Sequence, residues 1–263
     1  MHASAGFLEL LIRYLRDAPT LQPPSSFRFV RVTAGAISPD ICEELALRLG
    51  APVLPGYSTT ETGIVATALP PPAPSKPGSA GRPIHEIRIV REDTRQAGTE
   101  EPGEIWVRAE TAFPRYLDDP ETNASAFTSD GWFRTGDVGY LDQEGFLFLT
   151  GRLTELINRG GAKIAPMEVD EVLLAHPSVR AAATFAIPDE LLGEDIAAAV
   201  ILVDGREASR RDLRRWLVQR LAPYKVPRRI WFVDDLPRTA SGKVQRGVLT
   251  ERFLTQATRE QHR

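Results

Sequence analysis

Cysteine is nearly missing from this chain of 263 residues: Cys42 stands alone, so no internal disulfide can form and a reducing compartment is expected. No apolar run approaches the roughly 20 residues needed to cross a bilayer. The first residues lack a basic start, an apolar stretch and a small-residue cleavage site, so no secretory leader is expected and the expected location is cytoplasmic. A net charge of only −3 gives no bulk attraction for nucleic acid or a membrane surface. What is present is an ordinary globular composition, 42% hydrophobic and 25% charged, in a length that suits one large domain or two modest ones. The charge is uneven: 13 basic against 20 acidic residues stand before Arg152, and 19 against 15 from there on. An acidic body with a basic tail suits a tail that meets a polyanion; chance surface composition accounts for it equally well.

Apolar residues at 7, 8, 11, 12 and 15 predict a helix over 7–16. Residues 27–33 read as a strand. Ser38 and Pro39 open a helix with Ile41, Leu45 and Leu49 on one face, Cys42 half-buried beside them, and Gly50 as the stop. Val53 and Leu54 then start another strand, the βαβ rhythm of a parallel sheet. Residues 70–83, PPPAPSKPGSAGRP, are too rich in Pro and Gly for a regular element and are predicted as an ordered loop. Short strands at 84–90, 104–109 and 146–150 predict a small antiparallel barrel or curled sheet. After Gly151-Arg152 the pattern becomes α+β: a helix from Pro166 to about His176, strands at 181–187 and 196–203, a helix capped by Ser209, a strand at 229–233 and a polar loop over 237–247. The expected fold is α/β (1–69) with a β-barrel-like subdomain (78–150), followed by an α+β domain (151–263).

Four segments carry chemical side chains: GYSTTETG (56–63), WFRTGD (132–137), GRLTELINRGGAKIAPMEVDEVL (151–173) and LPRTASGKVQR (236–246). Singly each is weak. A Thr-Glu pair after a strand is usually structural, Asp137 alone is a turn residue after a Gly, and Gly160-Gly161 alone is a turn with positive φ. The Ser-Gly-Lys loop lacks the spacing of a P-loop. Their order and spacing together resemble the adenylate-forming superfamily: acyl- and aryl-CoA synthetases, luciferases and peptide-synthetase adenylation domains. The resemblance runs from about Phe27 to about Leu254. The wording around 156–179 and 236–246 is most similar to small and medium-chain acid–CoA ligases, and residues 70–83 resemble the oxalate–CoA ligase group.

The resemblance implies a reaction. A carboxylate attacks the α-phosphate of ATP to give acyl-AMP and pyrophosphate, and the thiol of coenzyme A then takes the acyl group. It implies Lys243 as the adenylation lysine, a cation between two approaching anions. It implies Glu61 as the Mg²⁺ carboxylate and Thr60 as an α-phosphate contact, with Ser58 beside them in the nucleotide site. Tyr57 corresponds to the residue lying against adenine, Gly35 and Ala36 to the backbone on its other side, and Asp137 and Arg152 to the ribose contacts. Gly160 and Gly161 correspond to the bare backbone that meets the pantetheine arm. The basic residues Arg214, Arg215, Arg220, Lys225, Arg228 and Arg229 read mainly as a solvated face, with the CoA phosphates as the other reading.

Two departures stand out. Thr154 occupies the hinge position, usually Asp or Lys, of a domain expected to act as a mobile lid. The Ser/Thr/Gly-rich loop with a lysine that cradles the β- and γ-phosphates in this family is not found here, so the chain reads as the back half of such an enzyme. A companion chain supplying the front half, or a homo-oligomer, is therefore expected to cover an exposed sheet edge and an apolar face near 27–66. The alternatives are an adenylation domain that loads a carrier protein and a non-catalytic remnant that binds nucleotide or CoA.

Overall fold

The computed structural model describes residues 1–18, 21, 27–33, 37, 39–239 and 242–261, with the side chains of Ala5, Glu9, Pro39 and 255–261 left aside. Gly35, Ala36 and the expected N-cap Ser38 lie outside the described residues. The chain divides into two compact units, Met1–Thr150 with Ser241–Lys243, and Gly151–Ala240 with Val244–Arg263. No helix of the described residues is long and apolar enough to cross a membrane.

The first unit begins with strand β1 (His2–Ser4), helix α1 (Ala5–Asp17), β2 (Val30–Thr33), α2 (Pro39–Leu49), β3 (Val53–Thr59), β4 (Gly63–Thr67) and β5 (Arg82–Pro83). These strands lie in the order β1-β2-β3-β4-β5. The β1–β2 and β2–β3 pairs are parallel and the β3–β4 and β4–β5 pairs antiparallel. Ser4 starts α1 by accepting from the Phe7 amide at 3.2 Å. Leu8, Ile12 and Leu15 of α1, and Leu45 and Leu49 of α2, bury against Val30 and Val32. On its other side α1 leaves Phe7, Leu10 and Tyr14 exposed, an apolar stripe at helical spacing. Cys42 is half-buried on α2, and burial pushes its thiol up to about 11.

The antiparallel part holds β6 (Glu86–Val90), β7 (Gly103–Arg108), α3 (Pro120–Ala126), β8 (Phe133–Leu141) and β9 (Leu147–Arg152), with strand order β6-β7-β8-β9. Tyr57, Val65 and Ala66 share a buried cluster with Ile89, Ile105, Val107 and Leu147, so the two sheets of this unit have one core. The Pro/Gly-rich segment 70–83 is ordered, as expected. Its Ala80 amide donates to the Leu147 carbonyl at 2.8 Å, and the Leu147 amide donates to Gly81 at 2.9 Å. At Gly81, with φ +88°, a Cβ would collide with the backbone of Thr67 and Ala68.

The second unit contains β10 (Ile157–Arg159), β11 (Ala162–Ile164), α4 (Pro166–Leu174), β12 (Val179–Asp189), β13 (Gly193–Leu202), α5 (Arg210–Val218), β14 (Arg229–Phe232) and α6 (Arg246–Gln261). Its sheet runs β11-β10-β13-β12, with β14 parallel to β13. Along β13, Ile196, Ala198 and Val200 face a core with Val169 and Leu173 of α4 and Leu213 and Leu217 of α5. The alternate residues Ala197 and Ala199 face Leu249 and Phe253 of α6. This period of two, apolar on both faces, is what a sheet covered on both sides requires. Phe253 stacks on Trp231 at 4.6 Å between ring centres. A capping box between Ser209 and Asp212 starts α5.

Arg246, at the head of α6, ties this unit together. Its guanidinium donates to Asp170 at 2.8 Å, to Glu155 at 3.1 Å and to the Thr184 carbonyl at 2.7 Å. Asp170 also accepts from the Thr184 amide at 2.6 Å. Burial alone would lower the Arg246 guanidinium; the attraction of Asp170 and Glu155 outweighs it and holds the guanidinium above its ordinary value. Arg246→Met should therefore destabilise this unit by about 3–5 kcal/mol, because it leaves Asp170 buried without its partner. The double variant Arg246→Met/Asp170→Leu should lose less than Arg246→Met alone in urea unfolding. Additive losses would show that the two side chains are not coupled.

The boundary between the units falls at Thr150/Gly151, next to the exposed Arg152. Brief trypsin treatment should cut first at Arg152 and release two resistant fragments, read by intact mass. Survival of an uncut block across 145–160 would speak against a joint there.

Candidate nucleotide site

Strand β3 does not stop at Leu54; it runs on through Tyr57 to Thr59, so the segment 56–63 is the end of a hairpin. The register slips between Tyr57 and Ser58, where Val65 of β4 bulges. The turn is closed by hydroxyls: the Thr62 amide donates to Thr59 Oγ1 at 3.1 Å, and the two threonine hydroxyls lie 2.9 Å apart. Thr62 is buried, whereas Thr60 is exposed and Ser58 and Glu61 are half-buried.

Asp137 lies in β8, a strand that the sequence reading missed. Register slips here too: Glu104 faces Val138 and Trp106 faces Arg134, so Thr135–Asp137 bulge from the ladder. Gly136 takes φ +69° in this bulge. The Gly136 amide donates to Glu104 Oε1 at 3.1 Å, and Trp106 Nε1 donates to Glu104 Oε2 at 2.7 Å. Thr135 Oγ1 donates to the Ile105 carbonyl at 2.7 Å and accepts from the Asp137 amide at 3.0 Å. The bulge re-aims Asp137 into the core side, where its Oδ2 accepts from Tyr57 Oη at 2.6 Å. Both residues are 7% exposed. Tyr57 and Asp137, 80 positions apart, thus meet directly.

Glu61 also has a partner that sequence reasoning missed. Tyr116 Oη donates to Glu61 Oε1 at 2.9 Å, and the Phe113 amide donates to the Glu61 carbonyl at 2.9 Å. Next to it, Thr111 Oγ1 donates to the Thr62 carbonyl at 2.7 Å. The segment 111–116 therefore grips the turn that carries Thr60 and Glu61. The aromatic spacing of Phe113, Tyr116 and Phe127 ahead of WFRTGD was the available signal.

The remaining expected residues lie at a strand end, in a hairpin turn and in a loop. Arg152 closes β9 and is exposed. Gly160 and Gly161 form the two-residue turn of the β10–β11 hairpin, with φ +58° and +88° and Arg159 paired to Ala162. Two successive positive φ values are the geometry for which glycine is suited, so the turn reading holds whatever else the pair does. Lys243 is exposed in a narrow loop whose ends are held by an Arg238–Val244 bridge and by the Gln245 amide donating to Pro237 at 2.8 Å. Among the described residues no group of three or more His, Cys, Asp or Glu is placed to hold a metal ion. Glu61 stands as a single carboxylate, which fits a cation held mainly by a ligand's phosphates.

Residues 1–117 match the AMP-binding enzyme family and residues 168–243 match the AMP-binding enzyme C-terminal domain. Over 248 residues, 93% of the chain, it is 42% identical to an oxalate–CoA ligase of Arabidopsis thaliana, of which it spans 48%. A 2-succinylbenzoate–CoA ligase of Geobacillus kaustophilus is 38% identical over 94% of the chain and 50% of its own length. Among solved structures, ATP-bound MatB from Rhodopseudomonas palustris superposes with a TM-score of 0.87 at 28% identity, over 96% of this chain and 50% of that one. MenE from Bacillus subtilis in complex with the acyl-adenylate OSB-AMP gives 0.80 at 34% identity, over 94% and 50%. The chain spans about half the length of the curated relatives it matches. With both domains of the family matched in sequence order, this chain belongs to the adenylate-forming superfamily, among relatives that are acid–CoA ligases.

Proposed function

We propose that this chain supplies the adenosine-facing and lysine-bearing part of an AMP-forming acid–CoA ligase, which adenylates a carboxylic acid with ATP and transfers the acyl group to CoA. The observation that carries the reading is the buried Tyr57–Asp137 hydrogen bond. It fixes the carboxylate assigned to the ribose hydroxyls against the ring assigned to adenine, and the β3–β4 turn with Thr60 and Glu61 follows directly from the same strand. Gly35 and Ala36 complete the adenine contacts in this reading, Ser58 lines the nucleotide site, and Arg152 adds a second ribose contact.

In the first step the acid's carboxylate oxygen attacks the α-phosphorus and pyrophosphate leaves. Thr60 Oγ1 donates to an α-phosphate oxygen, and the Lys243 ammonium lies between the two anions and stabilises the charge that builds up on them. Glu61 would hold Mg²⁺, which when bound neutralises phosphate charge. In the second step the thiol of CoA approaches past the Gly160-Gly161 backbone and displaces AMP. The relatives named above, CoA ligases among them, favour CoA over a carrier protein as the acceptor. The joint presence of Thr60, Glu61, Asp137, Arg152 and Lys243 favours an enzyme over a non-catalytic remnant.

The stripe of Phe7, Leu10 and Tyr14 on α1, beside β1 at the sheet edge, supports a companion segment packed there. That stripe lies on α1, ahead of the 27–66 region where an exposed apolar face was expected. Pyrophosphate release with ATP, Mg²⁺ and a panel of acids, including oxalate and medium-chain fatty acids, should be negligible for the 263-residue chain alone. It should appear when the phosphate-cradling portion of a curated relative is added as a second polypeptide. Robust turnover by a monodisperse monomer would refute the need for a companion.

In that assembled enzyme, Lys243→Ala should lower adenylation by about 10²–10⁴-fold. Thioester formation from supplied acyl-AMP should be largely retained, because no second anion then has to approach a phosphate. Equal loss in both half-reactions, followed by stopped-flow and thioester assay, would remove Lys243 from this role.

A further inference from the structure

A carboxylate that holds a cation through one oxygen must itself be held. Glu61 has three rotatable bonds and only partial burial, so on its own it would sample several rotamers. Its surroundings restrict it from both ends. The Phe113 amide fixes its carbonyl and the Tyr116 hydroxyl fixes its Oε1.

Tyr116 is in turn held more firmly than a surface tyrosine needs to be. The Asn123 side-chain amide and the Tyr116 backbone exchange two hydrogen bonds: Asn123 Nδ2 donates to the Tyr116 carbonyl at 2.8 Å, and the Tyr116 amide donates to Asn123 Oδ1 at 2.7 Å. Asn123 sits in the first turn of α3, which Asp119 caps by accepting from the Thr122 amide at 3.0 Å. The phenol ring meets Phe113 edge-on with centres 5.0 Å apart and lies 6.2 Å from Phe127, which packs at 5.1 Å on Phe133 of β8. A line of contacts therefore runs from β8, the strand of Asp137, through the aromatic cluster to the carboxylate of Glu61. Burial, and secondarily the bond to Glu61, pushes the Tyr116 phenol up to about 12.

We propose that Tyr116 is a positioning residue for Glu61, pinning Oε1 so that Oε2 is presented to a divalent cation carried by the nucleotide's phosphates. This rests on the reading of Glu61 given above. Partners that hold a ligating carboxylate affect metal affinity about 10–100-fold, although they never touch the metal.

Mn²⁺ serves as the probe, its binding to the 263-residue chain in the presence of ATP read by electron paramagnetic resonance. Tyr116→Phe keeps the ring in its cluster and removes only the hydroxyl. It should weaken Mn²⁺ binding about 10-fold and leave metal-free AMP binding, measured by calorimetry, unchanged. Glu61→Gln should weaken Mn²⁺ binding further, and adding Tyr116→Phe to it should cost nothing more, since the hydroxyl acts through the carboxylate. Unchanged Mn²⁺ binding in Tyr116→Phe, or a full extra loss on top of Glu61→Gln, would overturn the positioning role alone. If Glu61→Gln binds Mn²⁺ and ATP as the parent does, the cation role of Glu61 falls and this inference falls with it. A merely structural tyrosine would instead lower AMP and Mn²⁺ binding together.

Discussion

A phenol and a carboxylate that meet out of water organise the first unit. Tyr57 lies within β3 of the mixed sheet, and Asp137 lies in the bulge of the antiparallel sheet; their 2.6 Å hydrogen bond is a polar link inside a core made by Val65, Ala66, Ile89, Ile105 and Val107. A hydrogen bond to a charged group contributes about 1.5–3 kcal/mol, and losing one partner inside a core costs the desolvation of the other. The bond joins the two sheets, and the Thr59–Thr62 turn with Glu61 follows Tyr57 along the same strand. Asp137 could not reach this position from a regular strand. The slip between Glu104 and Trp106, with Gly136 at positive φ, supplies the turn of the backbone that aims it.

What could be read from the sequence was whatever burial makes periodic. Helices α1, α2, α4 and α5 showed their apolar stripes, and β12 and β13 showed as apolar runs because both faces are covered. The loop over 70–83 was legible as ordered because strand patterns flank it closely. Strand β8 was not, since WFRTGD puts an arginine, a glycine and an aspartate where alternation should be, and the bulge removes the alternation itself. Helix α6 escaped notice because, among its described side chains, Leu249 and Phe253, one turn apart, are the buried ones in a largely polar stretch. The motifs pointed to candidate site residues but not to what holds them. Tyr116 finds Glu61 55 positions away, a pairing that no local spacing encodes.

In the segment 236–246 the proposed adenylation lysine and a structural arginine stand close together. Arg246 stands three residues past Lys243 and is locked to Asp170, Glu155 and the Thr184 carbonyl. The Arg238–Val244 bridge closes the loop on its other side. This buried ion pairing makes the motif's final arginine structural, whereas its lysine is the one proposed for the chemistry, although the two look alike in a sequence.

The proposed reaction would set a mixed anhydride beside the chain's own nucleophiles. Cys42 is the chain's sole thiol, and burial pushes it up to about 11, which keeps it a protonated thiol at neutral pH. Sequestered on α2, it is a poor rival for an activated acyl group beside a free thiol acceptor. Scarcity of cysteine, which at the outset only ruled out disulfides, would in that reaction also limit self-acylation.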